Sequence, residues 1–171
     1  MLSFIKLLFL GAALSLFAGC GYQPSSHYVK NVFDESIYVE VKVDPSEPEN
    51  APYLTDELRK IIIQRFNGKA ASQEKAQNSI IATYKGTQFI PIAYDKAGYI
   101  TRYATIVKVE FDLKDKNGNT FHKIITATSQ EGVSESALHT STSRILSIKQ
   151  GLEKASDEFI SFISAKGANL K

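Results

Sequence analysis

An α+β fold, a four-stranded mixed sheet with two helices packed on one face, follows from three features of the sequence. Segments 37–43 and 103–113 alternate apolar and polar residues with the period of two that a half-buried strand requires. Segments 55–66 and 136–165 space apolar residues three and four apart, as amphipathic helices do. The resulting order is strand, helix, three strands, helix. It lets the first helix cross over between two parallel strands while the last lies beside it.

The first strand buries Ile37, Val39, Val41 and Val43 and exposes Tyr38, Glu40 and Lys42. Pro45, Pro48 and Pro52 end it in an extended loop. Thr55 is placed to cap the following helix, with Asp56 and Glu57 at the positive end of its dipole and Leu58, Ile61, Ile62 and Phe66 on its apolar stripe. Asn67-Gly68 closes it, and 70–77 reads as a polar interval. The second strand carries Ile80, Ala82 and Tyr84, bulges near Gly86 and resumes from Phe89 to Tyr94, with Pro91 assigning it to an edge or a strand end. Tyr103, Val107, Val109, Phe111 and Leu113 share the buried face of the third strand, and Lys108, Glu110, Asp112 and Lys114 its wet face. A turn over 115–119, centred on Asn117-Gly118, returns the chain into an antiparallel partner from Phe121 to Thr128. The final helix aligns Ile145, Ile148, Leu152, Ala155, Phe159, Phe162 and Ile163, with Gly151 weakening it modestly.

The beginning of the chain is of a different kind. Lys6 precedes an apolar run over 7–17, too short for the ~20 residues that span a bilayer, and Ala18-Gly19 leads into the one cysteine, Cys20. This reads as a lipoprotein signal peptide over 1–19, although Phe17 stands where the processing motif usually has leucine. The alternatives at this point are an ordinary secretory signal ahead of a free thiol, or a membrane anchor. Cleavage would make Cys20 the lipidated N-terminus, bearing a diacylglycerol thioether and an N-acyl chain, since one acyl chain alone holds a protein only marginally. Residues 20–30 then form a polar tether and 31–171 a single domain. The 20 basic and 18 acidic residues nearly cancel, so no global field draws the chain to nucleic acid. Eight tyrosines and ten phenylalanines without tryptophan fit a sheet-rich domain.

Nothing in the sequence assembles an active site. His27, His122 and His139 fall in separate segments, and none has a cysteine, histidine or carboxylate at a helical or hairpin spacing that suggests a metal. There is no nucleophile elbow, Walker loop or dinucleotide fingerprint, and the serine-rich tract 129–143 reads as a loop and helix start. Adjacent carboxylates such as Asp56-Glu57 and Asp157-Glu158 point apart on their helices. No catalytic residue, metal or dissociable cofactor is expected, and an envelope-polymer hydrolase would require groups from separate segments to converge in a cleft.

The string Cys20-Gly21-Tyr22, the strand followed by Pro52-Tyr53-Leu54 and a helix, the strand beginning at Arg102-Tyr103 and the long last helix resemble the lipopolysaccharide-assembly lipoprotein family LptE. Gln23 stands where that family commonly has a histidine. The resemblance implies a small outer-membrane lipoprotein on the periplasmic side. Such a protein serves as plug and chaperone for a β-barrel lipopolysaccharide translocon of the LptD type and binds lipopolysaccharide without catalysing a reaction. It also implies two helices on a four-stranded sheet. Lys96 falls where family members carry a basic ligand-contacting residue. Arg102 stands with it among Tyr94, Tyr99 and Tyr103, and Lys123 is the nearest match to a second basic contact on the following hairpin. The competing reading is a periplasmic lipoprotein scaffold for envelope or cell-wall machinery that binds no lipid.

Overall fold

The computed structural model describes residues 25–43, 45, 47–133 and 137–170. The expected signal peptide and Cys20 lie outside them. In chain order the elements are α1 (Ser25–Val32), β1 (Ser36–Val43), a 3₁₀ turn (Pro48–Asn50), α2 (Ala51–Gln64), β2 (Lys69–Ala71), β3 (Asn78–Tyr94), β4 (Ile100–Lys114), β5 (Thr120–Gly132) and α3 (Ala137–Asn169). The α+β class and the mixed sheet stand, with strand order β2-β1-β3-β4-β5. β1 runs parallel to both β2 and β3, while β3, β4 and β5 form an antiparallel meander.

The element count differs from the four strands and two helices expected, because among the described residues there are five strands and three helices. Both additions are short, β2 with three residues and α1 with eight and a single i, i+3, i+4 apolar set at Val29, Val32 and Phe33. β2 pairs only three residues with β1, Ser36 to Tyr38, so backbone hydrogen bonding rather than side-chain alternation defines it. α1 takes up the later part of the segment read as tether. It is held by tertiary contacts: Val29, Val32 and the following Phe33 are buried, and Asn31 Nδ2 donates to the Gly167 carbonyl at 2.9 Å. Glycine at 167 is required there, since a Cβ would sit 1.9 Å from the Tyr28 carbonyl oxygen. Gly151 has the same use against the sheet, where a Cβ would approach the Val107 methyls at 3.0 and 3.1 Å.

α2 starts a turn earlier than its sequence signals suggest. Its N-cap is Asn50, and the Thr55 hydroxyl, rather than capping, donates back to the Ala51 carbonyl at 2.9 Å from within the helix. Pro52 is tolerated because the first-turn N–H groups have no intrahelical acceptor. Asn67, at φ 52°, turns the chain out of the helix end.

α2 and α3 cover one face of the sheet. Leu54, Leu58 and Ile62 from α2 and Leu152, Phe159 and Ile163 from α3 meet Ile37, Ile80, Val109, Phe111 and Ile125 in one core. Phe111 and Phe159 stack at 4.3 Å between centroids. Lys108, Asp112, Lys114, His122, Ile124 and Thr126 lie exposed on the other face, which none of the helices among the described residues covers.

β3 is 17 residues long and continues through Pro91, with register shifts at Tyr84/Gly86 and Pro91/Ala93. β1 ends opposite Tyr84, so among the described residues no strand pairs with the outer side of the second half of β3, and an N–H is not required at Pro91. The proline loop closes the start of that open edge. Glu47 Oε1 accepts the Thr87 N–H at 3.0 Å, and Glu47 Oε2 accepts from the buried Tyr84 hydroxyl at 3.0 Å and from Asn50 Nδ2 at 2.9 Å. Tyr84 also contacts the Thr87 hydroxyl. Burial pushes the pKa of the Tyr84 phenol well above the ordinary tyrosine value.

Candidate functional site

Beyond Tyr84 the meander runs past its parallel neighbour, and its character changes. Ile90, Ile92, Tyr94 and Tyr99 are exposed there, Tyr99 by 72%. At the tip, Asp95 Oδ1 accepts the Ala97 and Tyr99 N–H groups at 2.9 and 2.8 Å and fixes the turn that carries Lys96. Lys96 is exposed at that tip and Arg102 is exposed on β4, opposite Ala93 and Gly132. Among the described residues neither takes part in an ion pair. Their charges are therefore available to an anion.

On the helix side of the same region, a mostly apolar cleft of about 210 Å³ opens between α3 and the far ends of β3, β4 and β5. Phe89, Tyr103 and Val133 line it, and Glu131 and Arg144 supply its charges. The Arg144 guanidinium lies 4.2 Å from the Phe89 ring centroid. Its polar floor is internally satisfied: the Thr105 and Ser147 hydroxyls pair at 2.8 Å, and Ser129 Oγ donates to the Ser147 carbonyl at 2.6 Å. A floor without free polar groups suits an apolar ligand segment better than a polar one. Arg144 and this cleft were not legible in sequence, because they arise where α3 crosses a sheet distant in the chain. The tract 129–143, read as a loop and helix start, contributes Glu131 and Gly132 from the end of β5 and Ser143 from within α3.

Lys123 is not brought into this group. It stands opposite Phe111 on the helix-covered side, with Nζ 3.7 Å from Glu158 Oε1 and 5.9 Å from the Phe162 centroid. Nine residues of β4 separate its level from that of Arg102, about 30 Å along the strand.

The histidine reading needs one correction. His122 faces Asp112 across the β4–β5 hairpin, with Nδ1 2.8 Å from Asp112 Oδ1 and 3.8 Å from Glu110 Oε1. The relation was hidden in the linear sequence because it depends on the register set by the 115–119 turn. These groups lie on the open sheet face, not in a cleft. His27 is exposed against Tyr28, and His139 lies in α3.

The sequence model of the lipopolysaccharide-assembly family LptE matches residues 38–161, well over half of the chain. The chain belongs to the LptE family. The match covers the sheet, α2 and most of α3, and includes the projecting hairpin and the cleft. Against curated proteins the sequence has no match. Among solved structures the chain is similar to rare lipoprotein B from Shewanella oneidensis, at 16% identity, covering 79% of this chain and 98% of that one with a TM-score of 0.57. It is similar also to a lipoprotein B from Nitrosomonas europaea, at 13% identity, 81% and 88% coverage and a TM-score of 0.57. A minor lipoprotein from Acinetobacter baumannii follows at 12% identity, 79% and 94% coverage and 0.52. At such identities these likenesses establish the fold that this LptE-family chain shares with them, and no more. Among the described residues no helix is long and apolar enough to cross a membrane.

Proposed function

We propose that this LptE-family protein is held on the periplasmic side of the outer membrane by acyl chains on Cys20. There it acts as plug and chaperone of a β-barrel lipopolysaccharide translocon and binds lipopolysaccharide at the projecting end of its sheet. Phosphates and sugar carboxylates pair with Lys96 and Arg102, while acyl chains lie along Ile90, Ile92, Tyr94 and Tyr99. Lysine at 96 offers a point charge without the bidentate fork of arginine, so it attracts phosphate without fixing its orientation. Lys123, already engaged by Glu158 and Phe162, contributes at most to a separate contact. The protein works by contact, with no bond made or broken.

The observation that supports this reading is the exposed apolar hairpin flanked by two unpaired cations. A monomer gains nothing in stability from exposing such residues, whereas an amphiphilic ligand matches both components. The test is photocrosslinking in the intact envelope from Tyr99, from Lys123 and from exposed positions of α3 such as Lys154. Glycolipid adducts are expected at Tyr99 and barrel adducts elsewhere on the surface, and K96E/R102E lowers glycolipid capture at least about tenfold. Adducts only with cell-wall proteins, or unchanged capture by K96E/R102E, would overturn the proposal.

A further inference from the structure

Away from the projecting end, the open sheet face holds three side chains whose donor atoms converge. Glu110 and Asp112 are two residues apart on β4 and so share a face, and His122 stands opposite Asp112 on β5. One donor atom from each lies within 4.8 Å of the others. Two anionic oxygens, at 2.8 and 3.8 Å, thus face one ring nitrogen that can carry a single proton. That proton can serve the nearer carboxylate only. A divalent cation in its place would meet all three donors. A tetrahedral shell at ~2.0–2.1 Å sets its donors about 3.3 Å apart, between the two separations seen.

The surroundings fit this use. Lys85 Nζ pairs with the other oxygen of Glu110, Oε2, at 3.4 Å, which leaves Oε1 for a second partner. The Asp112 and His122 side chains are about half exposed, 53% and 51%, so water can reach the remaining coordination positions. An imidazole among carboxylates favours zinc-class ions over calcium or magnesium, which take oxygen donors.

We propose that Glu110, Asp112 and His122 form a surface site for a divalent transition-metal ion of the zinc class, completed by water. This assignment is independent of the lipopolysaccharide reading, since it uses none of its residues and lies eight residues of β4 away from Arg102, about 26 Å along the strand. The test is calorimetric titration of the untagged full mature chain in detergent with zinc, calcium and magnesium chlorides.

One zinc per chain at micromolar affinity is expected, with calcium and magnesium at least about tenfold weaker. H122A and E110Q should each weaken zinc binding at least about tenfold, with unchanged far-UV circular dichroism. K85A, which removes a competing cation, should tighten it. The ring nitrogen resonances of His122 should shift on zinc addition in wild type. Absence of zinc binding would leave a cross-strand ion pair only and overturn the site. Equal zinc affinity in H122A, calcium binding as tight as zinc, or weaker binding by K85A would overturn it as well.

Discussion

Two hairpin turns of this protein have the same local chemistry and opposite surroundings. Asp95-Lys96-Ala97-Gly98-Tyr99 and Asp115-Lys116-Asn117-Gly118-Asn119 each begin with an aspartate whose Oδ1 accepts two backbone N–H groups at 2.8–2.9 Å. In each, the aspartate N–H donates to the carbonyl four residues on at 2.9 Å, and the glycine takes a φ of 86° or 85°. Asp115 is nonetheless fully buried. Lys116 donates from its backbone to the Val32 carbonyl and from Nζ to the Lys30 carbonyl, so α1 closes over that turn. The Asp95 turn has no such cover among the described residues and presents Lys96 between two exposed tyrosines. A turn sequence therefore fixes a conformation, while the packing around it decides whether that conformation supports the fold or meets a ligand.

The contrast can be broken most strongly from the covered half. Phe159→Ala removes the ring stacked on Phe111 and should destabilise the protein by about 4 kcal/mol, read from urea unfolding, since it deletes a large side chain from a closed core. Tyr99→Ser, in the projecting half, should change stability by less than about 0.5 kcal/mol in the same assay. A large loss there would show that the tip has a structural use.

The two turns themselves give the sharper test. Asp115→Ala removes a fully buried carboxylate that accepts the Asn117 and Asn119 N–H groups and should lose about 2 kcal/mol, whereas Asp95→Ala should lose about 1 kcal/mol or less because water replaces the exposed carboxylate. Equal losses would mean that burial of the Asp115 turn contributes nothing.

The smallest effect belongs to Tyr84. Its folded pKa is raised above the ordinary value of 10.0 by burial, so the unfolded chain gives up this proton first as pH rises. The stability associated with the neutral phenol is whole below pH 10 and declines above it. Unfolding midpoints followed through that range should fall less steeply in Tyr84→Phe than in wild type. Parallel slopes would remove Tyr84 as the source.

What could be read from the chain follows the length and regularity of each signal. The β4–β5 hairpin was legible because alternation over 103–113 and the Asn117-Gly118 turn agree, and α3 because its apolar spacing persists over many turns. The start of α2 was misplaced because Thr55 is a good cap residue that instead bonds inside the helix. β2 and α1 were invisible because three and eight residues carry too little periodicity, and the contacts that hold them come from elsewhere in the chain. Of the expected contact residues, Lys96 and Arg102 share the projecting end, whereas Lys123 lies far down the other side of the sheet.

By itself, then, the sequence determined the class of fold, the central antiparallel hairpin, the apolar stripe of the long helix and the conformation of both aspartate turns. Each of these rests on interactions between residues near in the chain. Only the tertiary structure decided which turn is buried, that α1 docks at Gly167, that Arg144 roofs a cleft above Phe89, and that His122 meets two carboxylates. Those outcomes depend on sheet register and on the approach of α3, which link residues far apart in sequence and are fixed by packing rather than by local preference.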